Sequence, residues 1–257
     1  MALLAKSSPR RKQPTGMFKV DWRNELTQGL THLWCGGSWT NAVDGQLVTS
    51  NYSTPKVAVT GGGIALWNSN TGLQGFSVPA NATQINLRNP WTIGMLVEID
   101  STITQVGAAN NNGIIGIGNT AGALSGTYDR VIAPAAASGG SVAWGSYLFD
   151  GASEVLTGSS FLSKYSTNPS VSAVVVTAHD LGMHLFVNGT EDASSPLTIT
   201  NNGFNSYTVG SCFFNWGNCA NSTLGGYKIL MCFKTDNAGW DKTRAAKWWQ
   251  NPWQMFE

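Results

Sequence analysis

The sequence predicts an all-β protein: two antiparallel sheets stacked as a jelly-roll sandwich, with a short C-terminal helix and an extended basic N-terminal arm. Three observations predict it. The apolar runs are short and divided by turn signals. Charged residues make up only 11% of the 257, against about 25% in an average soluble chain, and glycine is abundant at 30 residues. A surface so poor in charge is built largely of Ser, Thr, Asn and Gly, the residues of tight turns between strands.

Strands are expected at 30–35, 64–67, 91–99, 113–118, 142–149, 171–178, 183–188, 206–210 and 227–233. The β-branched run Val174, Val175, Val176 fits a strand covered on both faces. Asn188-Gly189 is the strongest hairpin signal, because both residues accept the positive φ of a type I′ turn. Small residues over 133–140 predict a loop. One helix is expected near the C-terminus, capped by Asp236 or Asn237. Trp240, Arg244 and Trp248 would share a face at i, i+4, i+8, with Ala245 and Trp249 beside it, and Asn251-Pro252 would end it. The apolar tail is expected either to pack on the sandwich edge or to join the helix in a subunit contact, with Trp248, Trp249, Trp253 and Phe256 as the candidates.

Net charge is +1, unevenly spread. Residues 1–23 carry Lys6, Arg10, Arg11, Lys12, Lys19 and Arg23 against Asp21 alone, whereas residues 24–257 carry nine basic and thirteen acidic groups. With Pro9, Pro14 and little apolar material, the arm should not fold alone. It is expected to tie the body to a neighbouring protein surface or to act as a solubilising tail. Nucleic acid is the less expected partner, since the cluster Arg10, Arg11, Lys12 is short. No charge run or low-complexity linker divides residues 24–257, so they are expected to form one domain. No signal peptide is recognisable, and no apolar run approaches the roughly 20 residues of a membrane span. Cys35, Cys212, Cys219 and Cys232 form no C-x-x-C pair, which predicts buried free thiols over a metal site, with a late disulfide as the alternative.

Three stretches resemble one family. Residues 24–34 (NELTQGLTHLW) resemble the opening motif of laminin G-like proteins of tailed bacteriophages and prophages. Residues 174–189 (VVVTAHDLGMHLFVNG) are similar to the central laminin G hairpin, and residues 224–233 (LGGYKILMCF) with 251–256 (NPWQMF) to the closing strand and terminus. Glu25 stands where that family often has proline, and Leu181 separates Asp180 from Gly182. The resemblance implies a concanavalin A-like jelly roll carried on a virion as a capsid decoration, head fibre or other appendage. It further implies a non-enzymatic role, symmetric oligomers and other virion proteins, capsid or tail subunits, as partners.

Glycosidases of concanavalin A-like folds resemble one another in a strand bearing three alternating carboxylates. Here Glu98 and Asp100 alternate, but Ser101, Thr102 and Ile103 follow, so a glycoside hydrolase is the remote alternative. His32, His179 and His184 are expected as packing residues; His179-Asp180 with Ser170, Ser172 or Thr177 makes no triad by sequence alone. Asp44, Asp129, Asp150 and Asp180 lack a recognisable calcium-loop spacing, so no cofactor or metal is expected. The second function is a lectin-like, receptor-binding module for a host surface glycan. Trp39, Trp67, Trp144, Tyr147 and Trp216 are the candidate stacking residues, since aromatic faces pack on the apolar C–H faces of sugars.

Overall fold

The computed structural model describes residues 19–35, 40–45, 89–98, 144, 171–179, 182–196 and 229–257 in full. It gives backbone strand placement alone for 49–50, 57–60, 63–66, 76–77, 99, 115–118, 129–136, 142–143, 145–149, 153–157, 170, 213–216 and 227–228. In chain order the strands are β1 (Leu30–Cys35), β2 (Thr49–Ser50), β3 (Val57–Thr60), β4 (Gly63–Leu66), β5 (Phe76–Ser77), β6 (Trp91–Ile99), β7 (Ile115–Gly118), β8 (Asp129–Ala136), β9 (Val142–Phe149), β10 (Ser153–Thr157), β11 (Ser170–His179), β12 (Gly182–Val187), β13 (Thr190–Pro196), β14 (Phe213–Trp216) and β15 (Tyr227–Asp236). A single α-helix among the described residues, α1 (Lys242–Gln250), follows them.

The strands form two antiparallel sheets. One has the order β13-β12-β11-β6-β15-β4-β3, and the other β10-β9-β8-β7-β14-β5-β2. β15 is the spine of the first sheet. One edge pairs with β6 along its length, while the other is shared by β4 at Tyr227–Ile229 and by β1 from Met231 to Thr235. The ladder shifts register between Ile229 and Met231, where the neighbour changes.

The central strands β6, β11 and β15 of this sheet are buried on both faces, and side-chain alternation sorts the two layers. Leu33, Cys35, Leu96, Ala173, Val175, Phe186, Met231 and Phe233 join a cluster with Trp240, Ala245, Trp248, Trp253, Met255 and Phe256 from the C-terminal segment. The alternate set, including Ile93, Met95, Val97, Val174, Val176, Leu185 and Val187, points toward the second sheet, which supplies the buried Trp144. Two-sided cover explains the unbroken Val174–Val176 run: Val171 to His179 is buried except at its two ends. In the outer layer, Gly94 lies under the Phe233 ring. A Cβ there would stand 2.1 Å from Phe233 Cε1, so only glycine admits that ring over the strand.

Several expectations are corrected. Residues 133–136 belong to β8, not to a loop. Alanine and proline there give no strand signal, and the strand is set by pairing with β9, Pro134 opposite Trp144. The helix cap is Asp241, whose side chain accepts from Arg244 N at 2.9 Å. β15 runs on through Asp236, and Asn237 (φ 56°) then turns the chain, which displaces the helix start to Lys242. Residues 19–21, at the base of the arm, are paired with the C-terminus. Val20 bridges to Phe256, Asp21 N donates to Met255 O, and Glu257 N donates to Lys19 O. The predicted strand at 206–210 lies outside the described residues. Cys35 and Cys232 are buried free thiols on opposite faces of the sheet; burial pushes Cys35 up to about 12 and Cys232 well above the usual thiol range. Cys212 and Cys219 lie outside the described residues. Among the described residues no helix is long and apolar enough to cross a membrane.

Candidate functional site

The β12–β13 turn sits directly on α1. Asn188 (φ 53°) and Gly189 (φ 75°) adopt the left-handed conformations of the expected type I′ turn. Asn188 pins the turn to β11: its N–H donates to Ala173 O at 2.8 Å, and its Oδ1 accepts from Ala173 N at 3.0 Å. A Cβ on Gly189 would stand 2.9 Å from Ala246 Cα and 3.1 Å from Trp249 Cβ. Glycine is thus required twice over, by its φ and by this close approach. On the other side, α1 is docked by Trp240 and Trp248, which meet Phe233 at 4.6 Å (stacked) and 5.0 Å (edge-on) between ring centroids. Trp240 N is held by the Thr92 and Thr177 hydroxyls, each at 2.9 Å.

Turn and helix together enclose an open groove of about 770 Å³, lined by Gly189, Thr190, Glu191, Lys242, Thr243, Ala246, Lys247 and Gln250. The helical contributors follow i, i+3, i+4 and i+7 spacing from Thr243, opposite the Ala245–Trp248 face that enters the core. Gly189 and Ala246 give an apolar floor. Thr190, Thr243 and Gln250 supply neutral hydrogen-bonding groups, and Glu191, Lys242 and Lys247 supply charge. Lys247 is ion-paired with Glu25, and its ammonium, first by hydrogen bond and then by charge, holds the Glu25 carboxyl below the usual range.

A row of rings leads to Glu191. His184 Nδ1 meets Glu191 Oε1 at 2.7 Å. The His184 ring stacks on His179 with centroids 4.5 Å apart and planes 10° apart, and lies 6.2 Å from Phe186. A register shift near Phe186, which pairs with Glu191 while Leu185 pairs with Ala193, leaves Asp192 as the extra residue. Such a bulge re-aims neighbouring side chains.

The expected site residues fare differently. Trp144 is 1% exposed, inside the sandwich, so it offers no face to a sugar. Trp39 and Trp67 lie outside the described residues; Tyr147 and Trp216 lie on β9 and β14, with side chains outside them. Trp248, Trp253 and Phe256 are buried against this chain's own sheet, and Trp249 is partly buried there, which removes their area from a subunit contact. Of the arm, Lys6, Arg10, Arg11 and Lys12 lie outside the described residues. Lys19 and Arg23 are exposed at its base, beside Trp22, 58% exposed and missed by the sequence reading. Glu98 is on β6, opposite Val171 and Lys228; Asp100 lies outside the described residues. Thr177 Oγ1 is within 2.9 Å of Trp91 O and buried, so it is not poised as a nucleophile for His179. Asp44 is exposed in a turn, Asp129 opens β8, and Asp150 and Asp180 lie outside the described residues. Among the described residues no group of three or more His, Cys, Asp or Glu side chains could hold a metal ion.

No protein-family profile and no curated protein matches the chain. Solved structures do. Trypanosoma rangeli sialidase, as its covalent intermediate with difluorosialic acid, superposes with a TM-score of 0.57 at 13% identity over 89% of this chain and 34% of that one. The binding domain of Paraclostridial Mosquitocidal Protein 1 gives 0.56 at 11% identity, over 88% of this chain and 52% of that one. Domain 4 of AbnA, an extracellular arabinanase of Geobacillus stearothermophilus solved with arabinotriose, gives 0.53 at 12% identity, over 90% of this chain and 98% of that domain. The chain thus spans about a third of the sialidase. At these identities the likeness is one of fold: a β-sandwich that also occurs as a domain of carbohydrate-acting enzymes.

Proposed function

We propose that this chain is a non-catalytic carbohydrate-binding module whose ligand occupies the groove between the β12–β13 turn and α1. The observation that carries the reading is the lining of that groove: an apolar floor at Gly189 and Ala246 beneath the hydrogen-bonding groups of Thr190, Glu191, Thr243 and Gln250. A sugar needs that combination, since it presents hydroxyls at its edge and apolar C–H faces above and below. The fold likeness to a whole arabinanase domain solved with arabinotriose supports it. On a glycan array the full chain is expected to bind a discrete set of glycans. The double variant Thr243→Ala, Gln250→Ala should bind them about tenfold more weakly, the loss of one to two net hydrogen bonds. An array blank at high protein concentration removes the reading.

A second reading, a phage virion structural protein tethered by its arm, is favoured by one observation. The segments that resemble the phage proteins are knitted together, with Asn24 Nδ2 donating to Gln254 O at 2.7 Å alongside the Val20–Phe256 bridge. This places the base of the arm beside the C-terminus and the exposed Trp22. Reversing charge at Arg10, Arg11 and Lys12 to glutamate in the full chain is expected to abolish salt-sensitive attachment to virions. Unchanged attachment would exclude the arm as the anchor.

A further inference from the structure

We propose that Glu191 is the specificity-determining acceptor of the groove, and that the groove takes a neutral sugar presenting adjacent hydroxyls. The proposal rests on the carbohydrate-binding reading and narrows it to a ligand class.

The geometry around Glu191 is that of an oriented acceptor. An ionised carboxylate only accepts hydrogen bonds, so the His184 ring, when neutral, must carry its proton on Nδ1 to satisfy the 2.7 Å contact to Oε1. That ring is restrained on several sides. His179 stacks on it, and Phe186 lies beside it. Gly182 lies under its Nε2, where a Cβ would stand only 2.9 Å away. One carboxylate oxygen is therefore fixed by the protein, while the side chain keeps 41% of its surface exposed on the groove wall. The second oxygen is left for a ligand. A carboxylate oxygen can accept from two donors, and neighbouring hydroxyls on a sugar ring supply two donors at the matching spacing.

The charge balance selects a neutral ligand. Two ammonium groups line the groove, Lys242 and Lys247. Lys247 is already ion-paired with Glu25, which leaves one ammonium, Lys242, and one carboxylate, Glu191, as the remaining charges of the lining. An acidic sugar would bring a carboxylate to a groove with no surplus cation and with Glu191 on its wall, and like charges at short range repel. Neutral hydroxyl-rich sugars meet no such penalty.

Affinity gel electrophoresis of the full chain tests this, with arabinan and galactan as neutral probes and polygalacturonate as the acidic one. The wild type should be retarded by a neutral polysaccharide and not by polygalacturonate. Glu191→Gln, which keeps the side chain's shape and removes its charge, should weaken neutral binding at least about tenfold. His184→Phe keeps the ring stack but loses the Nδ1 donor. It should weaken binding by about threefold to tenfold with an unchanged unfolding midpoint, which separates orientation of Glu191 from mere structural support. Retardation by polygalacturonate, or neutral binding that survives Glu191→Gln, overturns the assignment of Glu191 while leaving the groove as a glycan site. A wild type retarded by no probe overturns the carbohydrate-binding reading together with it.

Discussion

Between pH 7 and pH 4 the protein is expected to lose about 3 kcal/mol of stability through His32 alone, rising to about 4 kcal/mol near pH 3. His32 is on β1 in register with Lys234 of β15, and both side chains are buried on the face toward the second sheet. Burial, and then the charge of Lys234, pushes the imidazole down from its ordinary 6.5 to about 3. The unfolded chain therefore binds a proton near pH 6.5 that the folded chain refuses until about pH 3. Where the unfolded state holds more protons, stability rises with pH, so this contribution is fully present above about 6.5 and is lost as pH falls toward 3. Glu25 acts in the same direction, because its depressed carboxyl favours the folded state only while ionised, but its loss is confined to the carboxylate range. His32→Phe separates the two. It keeps an aromatic ring stacked on Trp34, 5.1 Å away in the wild type, and removes the titrating group. Urea midpoints measured from pH 7 to 4 should fall steeply for the wild type and stay nearly level for His32→Phe down to about pH 5. Parallel curves would show that His32 is charged inside the sandwich and that the polar cluster around Lys234, whose Nζ is 2.8 Å from Asp236 Oδ2, accommodates it.

That cluster also marks where sequence reasoning stops. β1, β6 and β9 have the bounds expected of them, because short apolar runs between turn residues carry a period-2 signal that needs no tertiary knowledge. The Asn188-Gly189 turn was equally legible, since its φ requirement is local. β8 was not: its Ala and Pro residues become a strand only because β9 lies beside them. β13 (TEDASSP) is mostly polar, an edge strand recognised by its hairpin partner and not by its own composition. The groove was invisible for a stronger reason. Its walls come from residues 189–191 and 242–250, and only the approach of Gly189 to Ala246 joins them. A register argument alone could have paired His179 with His184. In the β11–β12 ladder His179 is opposite Gly182 and Thr177 is opposite His184, which sets the two rings diagonally on one face. The tryptophans were legible as apolar payload, but which are core and which exposed depends on the C-terminal segment folding back over the sheet, as Trp144 and Trp248 inside and Trp22 outside show.

Removing the aromatic that docks α1 should cost more than any surface change. Trp248→Ala is expected to destabilise the fold by about 3–5 kcal/mol, the range for deleting a fully buried aromatic. The indole is 0% exposed, meets Phe233 edge-on at 5.0 Å and Trp240 at 6.1 Å, and supports the Phe233 ring that lies over Gly94. Trp248→Phe should cost far less. The Trp248 Nε1–H is buried with no acceptor among the described residues, so a hydrocarbon ring sacrifices packing volume but no hydrogen bond. Equilibrium urea unfolding of both variants checks this, with an unchanged m-value showing that the same surface is exposed on unfolding. The pair also reports on the groove. Lys242, Thr243, Ala246, Lys247 and Gln250 are held in place by the docking of α1. Glycan binding should therefore be preserved in Trp248→Phe and weakened in Trp248→Ala even where that variant is still folded. A Trp248→Ala protein that loses less than about 1 kcal/mol and binds glycan as the wild type does would mean that α1 is held by the Gly189 turn and the Asp241 cap instead of by its buried face.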